Sequence, residues 1–374
     1  MKLMRHVGLL ALSTIVLIGC SSGPKKPQPT RLEPVTALVP ARQAWTLNVG
    51  ALDPIQRLAV VDQQVFVANA AGAVHAIDAQ NGQSLWRVDV GSRLSTGVGA
   101  DGVTAAVVTV DNELVVVRAS GEAWRTRLSS RVFTAPLVAG QRVFVLGADR
   151  SVTAFDGTNG ARLWQQSPRV ADALVLQQPS LLAPFGNTLL VGISGRLLAL
   201  EPNSGRPLWE APVATPRGVN EIERLVDLVG PIARRGDVVC ARAFQAAVGC
   251  LDAERGAMGW TQPSDGASGL SMDADQVYGA ARNGRVVAWA AADGQQRWAV
   301  DHLLHRGVTA PLAAGRSIIV GDAQGFVHLL SRDDGSVLNR LTTDGSAILG
   351  GPALAGNTLI TVTRNGGVFG WRPE

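Results

Sequence analysis

The stretch "AIDAQNGQSLWRVDVG", residues 76–91, holds a short apolar run ending in Asp78, a polar turn with Gly82, and Trp86 four residues after the glycine. The phrase recurs. Residues 154–164 read "AFDGTNGARLW", 199–209 "ALEPNSGRPLW", 250–260 "CLDAERGAMGW" and 288–298 "AWAAADGQQRW". A shortened copy, "VRASGEAW", covers 117–124, and a degraded copy, "LLSRDDGSVLN", covers 329–339 with Asn339 at the tryptophan position. Self-similarity at a period of about 40 residues marks propellers and solenoids.

Counted from Trp45, the marks fall at Trp45, Trp86, Trp124, Trp164, Trp209, Trp260, Trp298 and Asn339. A second phrase precedes each turn, clearest in "APLVAGQRVFVLGADRSVTAFD" (135–156) and matched by 310–331 and 351–372. It reads as a buried strand, a Gly turn, a Val-rich strand, a second turn and another strand. With the Gly-Trp strand this makes four strands per unit, and so an all-β, eight-bladed propeller of four-stranded antiparallel blades. The last repeat stops at "VFGWRPE" before its Gly-Trp strand, whereas Trp45 has no strands of its own before it. An N-terminal strand that finishes the last blade would close the ring and hide both edges. In each unit the glycine permits the turn. The tryptophan offers a broad apolar face and one N–H donor, which suits it to dock blade against blade. The junction served by Asn339 is expected to be weaker.

The composition agrees with strands: 46% of the 374 residues are hydrophobic, only 17% are charged, and there are 42 glycines. The net charge of +4 is mild, and loss of Lys2 and Arg5 with a leader would lower it by two. No basic tract is interleaved with aromatics, so nucleic acid is not an expected partner. Residues 1–19 read as a signal peptide, with a basic start and an apolar run from Val7 to Ile18. It closes in "LIGC", which resembles the bacterial lipobox; the resemblance implies lipidation of Cys20 and anchoring to the outer membrane, Ser21 rather than Asp following the cysteine. Residues 20–40 carry five prolines and read as a lipidated tether. Residues 41–374 are the propeller.

The phrase A-x-D-x-x-x-G-x-x-x-W resembles the repeat of pyrroloquinoline-quinone-type propellers. That resemblance raises one enzymatic alternative, a quinone-dependent dehydrogenase. Such enzymes are much longer and carry a calcium cluster and commonly adjacent cysteines. This chain has no adjacent cysteines, and no unit groups Glu, Asn and Asp densely enough for a hard cation. "SRDDGS" (331–336) occupies the same solvated turn as "DAQNG". His75 and His328 take equivalent strand positions, which argues for structure, and His302 and His305 share one loop. No catalytic residue, metal or cofactor is expected. Cys240 and Cys250 lie nearly opposite on the arms of one predicted hairpin; a disulfide and a pair of small buried apolar residues are both open.

The repeat is enlarged in two successive places. From Trp164 to Gly186 is 22 residues and from Trp209 to Gly236 is 27, against 16 or 17 in regular units such as Trp86 to Gly102. Equivalent loops emerge on one face of a propeller, so the two should form one patch. The first, 167–181, carries Leu174, Val175 and Leu176 in a row. In the second, 214–230, Asn220 and Glu223 read as a capping pair for a short helix. Ile222, Leu225 and Val226 then share one face, with Glu221, Arg224 and Asp227 more exposed. Such residues either pack the loops onto the blades or form an apolar patch rimmed by charge that binds another protein.

Together with "NEIERLVD" (220–227) and "DHLLHRGVTAPL" (301–312), this organisation resembles the BamB family of lipoproteins, which serve the machinery that assembles outer-membrane β-barrels. The resemblance spans the chain from Cys20 to the closing "GWR". It implies a non-enzymatic scaffold whose enlarged loops contact the periplasmic POTRA domains of BamA within the Bam complex. The matching contact residues are Leu174 and Leu176 on the first loop and Asp227 on the second. Gln177 stands where the family often has Arg, and Val229 where a second Asp is common. Unfolded outer-membrane proteins are a further implied partner, through exposed blade edges. The alternative is a generic lipoprotein propeller binding another periplasmic protein or a cell-wall component.

Overall fold

The computed structural model describes residues 27–53, 57–167, 175–216 and 225–374. The strands form eight four-stranded antiparallel sheets, and no helix occurs among the described residues. In chain order, blades 1 to 7 cover 59–89, 99–127, 137–166, 182–212, 228–263, 271–300 and 312–342. Blade 8 joins the two ends of the chain: Ala41–Asn48 pairs antiparallel with Gly367–Pro373, outside the strands of 353–362. Within each blade the strands are lettered a to d from the central channel outward.

Burial explains the sequence pattern. Strands b and c are covered on both faces by neighbouring blades, so they read as continuous apolar runs rather than alternating ones. Val65–Ala68, Ala105–Val108 and Leu114–Val117 are all buried. One interblade core, for example, joins Phe66, Val74 and Ala76 of blade 1 to Val107, Val115 and Val117 of blade 2. Strands d have one face to solvent and alternate, as in Gly121–Arg127.

The Gly-Trp phrase is a lock between consecutive blades. Asp78 accepts hydrogen bonds from the Gln80 and Asn81 N–H groups through its carboxylate, while the Gly82 N–H donates to its carbonyl. Asp156 and Asp252 organise their turns in the same way. The glycine, in the left-handed region (φ 74° at Gly82), then lies flat against the indole of the preceding blade. A Cβ on Gly82 would sit 2.5 Å from the Trp45 ring, and one on Gly205 2.5 Å from the Trp164 ring. Gly160, Gly256, Gly294 and Gly335 cover Trp124, Trp209, Trp260 and Trp298 in turn. The indole N–H donates to a carbonyl of the same turn: Trp45 to Ala79, Trp124 to Gly157, Trp164 to Pro202, Trp260 to Ala291 and Trp298 to Arg332, at 2.9–3.1 Å. A bulge just before the tryptophan sets its direction and turns Leu85, Leu163 and Leu208 outward, each more than 40% exposed.

Two junctions differ. Blade 2 has the shortened turn and its Gly121 has nothing within contact, so Trp86 lacks a glycine cover; its contact with Phe66 of its own blade, ring centroids 5.9 Å apart, is one that Trp164 and Trp298 also make, with Phe144 and Tyr278. At the seam between blades 7 and 8 there is no c–d turn to cover, because strands c (367–373) and d (41–48) of blade 8 are not consecutive in sequence. Asn339 is buried there and donates to the Val39 carbonyl at 2.8 Å, while Val39 and Trp371 fill the apolar space. The expected weak point is thus a junction of different construction.

Residues 27–40 have no regular secondary structure, yet they do not stand clear of the body. Thr30 N–H donates to Leu304 O, and Leu38 N–H to Leu338 O. Arg306, Arg340 and Arg316 donate to the carbonyls of Thr30, Glu33 and Leu38. Leu32 packs on the core between blades 6 and 7. Arg306 is itself buried and paired with Asp322 at 2.7 Å, and Asp322 also meets His328 Nε2 at 3.0 Å. Cys240 and Cys250 face each other across strands b and c of blade 5 and are joined by a disulfide.

Substituting alanine at Gly205 should cost about 1–3 kcal/mol through the indole collision. The same change at Gly236, also at positive φ but with open space around it, should cost less; urea midpoints of the two variants check this. A second outcome concerns pH. Burial holds His328 below its ordinary pKa despite Asp322. Burial would raise Asp322, but His328 and the Phe326 N–H hold it below the usual carboxylate range. Below about pH 6.5 the unfolded chain takes up a proton that folded His328 refuses, and near pH 4 and below Asp322 adds a loss of the same sign. Stability should fall on going from pH 7 to 5.5, and by less in His328→Gln, as read from urea midpoints.

Candidate docking site

In every blade the a–b and c–d turns lie at one end, and the b–c turns and blade-to-blade connections lie at the other. Two of the connections, 167–181 and 213–227, have fifteen residues each; the other six have seven to eleven. They flank blade 4 and emerge on the same face. The second excess is partly absorbed in strand a of blade 5, where the register breaks between Val229 and Ala233, so the longer sequence interval does not make a longer loop.

The two connections meet at Asp227. Its carboxylate accepts the Leu176 N–H at 3.0 Å from the first connection and the Ser194 N–H at 3.2 Å from the b–c turn of blade 4. It also pairs with Arg150 of the b–c turn of blade 3 at 3.7 Å. Both Asp227 and Arg150 are 7% exposed. The expectation that Asp227 lies more exposed as a direct contact is therefore corrected: its carboxylate is held inside, where it fixes the loops. Around it a small cavity is lined by Phe133, Leu146, Val175, Leu176 and Ile193. Val175 and Leu176 are half-buried and Gln177 is exposed. Leu225 is half-buried, and Val226 is buried in the core with Leu228 and Phe185. Leu174, Asn220, Glu221, Ile222, Glu223 and Arg224 lie outside the described residues, and so does Cys20.

Arg150 was not singled out by sequence, although a signal was present. Gly72, Gly195, Gly284, Gly325 and Gly366 occupy its place in five other blades. At Gly72 a Cβ would strike the Ser92 carbonyl of the following connection. Arg150 keeps the left-handed backbone, with φ 66°, at about 1–2 kcal/mol for a residue with a side chain. A bulky residue at a glycine position of the repeat, beside an enlarged loop, points to a specific task.

The central channel is a separate feature, a cavity of about 420 Å³. Arg57 enters it from the blade 8 to blade 1 connection and donates to the Gly230 carbonyl on the opposite side at 2.7 Å. Burial lowers its pKa. Among the described residues no three His, Cys, Asp or Glu side chains converge as metal ligands. His75 and His328 occupy equivalent positions in strands c, opposite Val67 and Val320.

The family model described as "Outer membrane protein assembly factor BamB" matches residues 70–300 and 284–374. The protein of that name from Burkholderia pseudomallei is 36% identical over 97% of this chain and 97% of its own. That from Bordetella pertussis is 34% identical over 96% and 93%. The crystal structure of BamB from Moraxella catarrhalis superimposes with a TM-score of 0.80 at 25% identity, covering 89% of this chain and 99% of that one. A quinohemoprotein alcohol dehydrogenase from Comamonas testosteroni shares the fold alone, with a TM-score of 0.69 at 14% identity over 89% of this chain and 78% of its own. A repeat that locks eight blades, two enlarged loops on one face, and relatives matched along almost the whole chain lead to one assignment: the chain belongs to the BamB family of outer-membrane protein assembly factors.

Proposed function

We propose that the protein is a non-enzymatic scaffold of the outer-membrane β-barrel assembly machinery, held at the periplasmic face of the outer membrane by lipid on Cys20. It docks the POTRA domains of BamA through the face that carries both enlarged loops. The observation that carries this reading is the convergence of the two loops on the buried carboxylate of Asp227. A loop pair fixed from beneath presents its apolar residues in one geometry, which lowers the ordering cost of binding. Leu174, Val175 and Leu176 are the apolar centre of the contact, with Gln177, Glu221 and Arg224 at its polar rim. The exposed d strands offer edges to which unfolded outer-membrane chains could add by strand pairing.

Leu174→Asp combined with Leu176→Asp should lower capture of the BamA periplasmic domains by at least about tenfold, or 1.4 kcal/mol. Val103→Asp, on the opposite face, should leave capture unchanged. Undiminished capture by the double variant removes the docking face, and native copurification of a different periplasmic protein favours the generic propeller instead. Asp227→Ala should destabilise the fold by about 3 kcal/mol, since it removes the buried carboxylate shared by Arg150 and the Leu176 and Ser194 amides. It should also speed hydrogen exchange at the Leu176 and Ser194 amides, as measured by NMR.

A further inference from the structure

Residues 27–40 follow a defined path along the body. Thr30 is bonded to Leu304 and Arg306, both in the connection between blades 6 and 7, and therefore at the end of the ring that carries the two enlarged loops. Leu38 is bonded to Leu338 at the start of strand d of blade 7 and to Arg316 in its a–b turn, both at the other end. The segment runs down the outside of blade 7 as a strap. It is held by three arginines and Asn339 through main-chain carbonyls, with Leu32 and Val39 half-buried against the cores on either side. Backbone recognition of this kind fixes position without demanding a particular side chain.

We infer that the strap turns the loop-bearing face of the propeller toward the membrane and keeps it within the length of a ten-residue leash. The inference rests on the reading that Cys20 carries the lipid. Thr30 lies ten positions after Cys20, and a fully extended chain spans at most about 3.3–3.6 Å per residue, so Thr30 stays within roughly 35 Å of the acylated residue. The opposite face lies a further strand length away, about 20 Å for six residues. Any partner docked on the loops is then confined to the layer between propeller and lipid surface. Were the segment a free tether from Cys20 to Pro40, both faces would sample the membrane equally. The strap thus converts a proline-rich linker into an orientation device, and the docking surface it presents fits a partner that itself sits close against the bilayer.

The test uses the full lipidated chain in vesicles of phosphatidylethanolamine and phosphatidylglycerol with an acceptor dye on a fraction of the headgroups. Donor dyes are placed singly at Ala323→Cys or Val110→Cys on the loop face, and at Asn187→Cys or Gln63→Cys on the opposite face. Energy transfer should be severalfold greater from the loop-face pair. Inserting twenty Gly/Ser residues between Pro27 and Gln28, which leaves the folded body untouched, should abolish the difference. Equal transfer from both faces of the uninserted protein, or the reverse order, overturns the inference. If the chain does not co-sediment with vesicles, the lipid reading fails instead. The strap is then tested in the soluble chain by tryptic cleavage after Arg31, which should be many times faster in Arg316→Ala plus Arg340→Ala than in the wild type; equal rates overturn it.

Discussion

An indole laid flat on a glycine is the contact on which the ring depends. Neither partner can be exchanged alone. A side chain at the glycine would enter the ring plane, and any smaller residue at the tryptophan would leave a gap and an unused carbonyl. Because the glycine also closes a turn in the left-handed region, one residue serves both the hairpin and the interblade contact. Local turn chemistry and long-range packing therefore demand the same short phrase, and its repetition is what builds a ring from units too thin to bury a core on their own.

The eight-bladed architecture was legible for that reason: the phrase is dictated by a contact that recurs at six of the eight junctions. Closure by Ala41–Asn48 was legible from the complementary fragments at the two ends. What repetition could not reveal was anything that happens once. The strap of 27–40 read as a loose tether because backbone carbonyls do the bonding and the prolines carry no sign of it. The meaning of Asn339 was hidden too. It replaces tryptophan where the neighbouring blade has no turn to cover, and only the topology shows that. The disulfide of Cys240 and Cys250 was left open by the residues, since two facing cysteines satisfy either reading until their side chains are placed.

At the candidate docking face the enlarged intervals were visible in the spacing, while the division of labour among the residues was not. Val175, Leu176 and Gln177 reach the surface, but Asp227 lies beneath it with Arg150. A charged residue in an amphipathic stretch reads as exposed by default, and only the amides of Leu176 and Ser194 converging on it reverse that reading. Two blades' turns and two loops are thereby tied to one carboxylate, so the patch behaves as a unit rather than as two independent arms.

The pairing of strand 41–48 with 367–373 also governs when the protein becomes complete. The two partners lie more than three hundred residues apart in sequence, so one is synthesised long before the other. Until the final dozen residues arrive, the sheet at one end and the strand at the other keep open hydrogen-bonding edges. Such a sequence-distant closure is slow to find, and a prematurely terminated chain has no substitute for it. Completion of the ring is therefore all-or-none: without strand 367–373 the strand of 41–48 has no partner and two sheet borders stay unpaired.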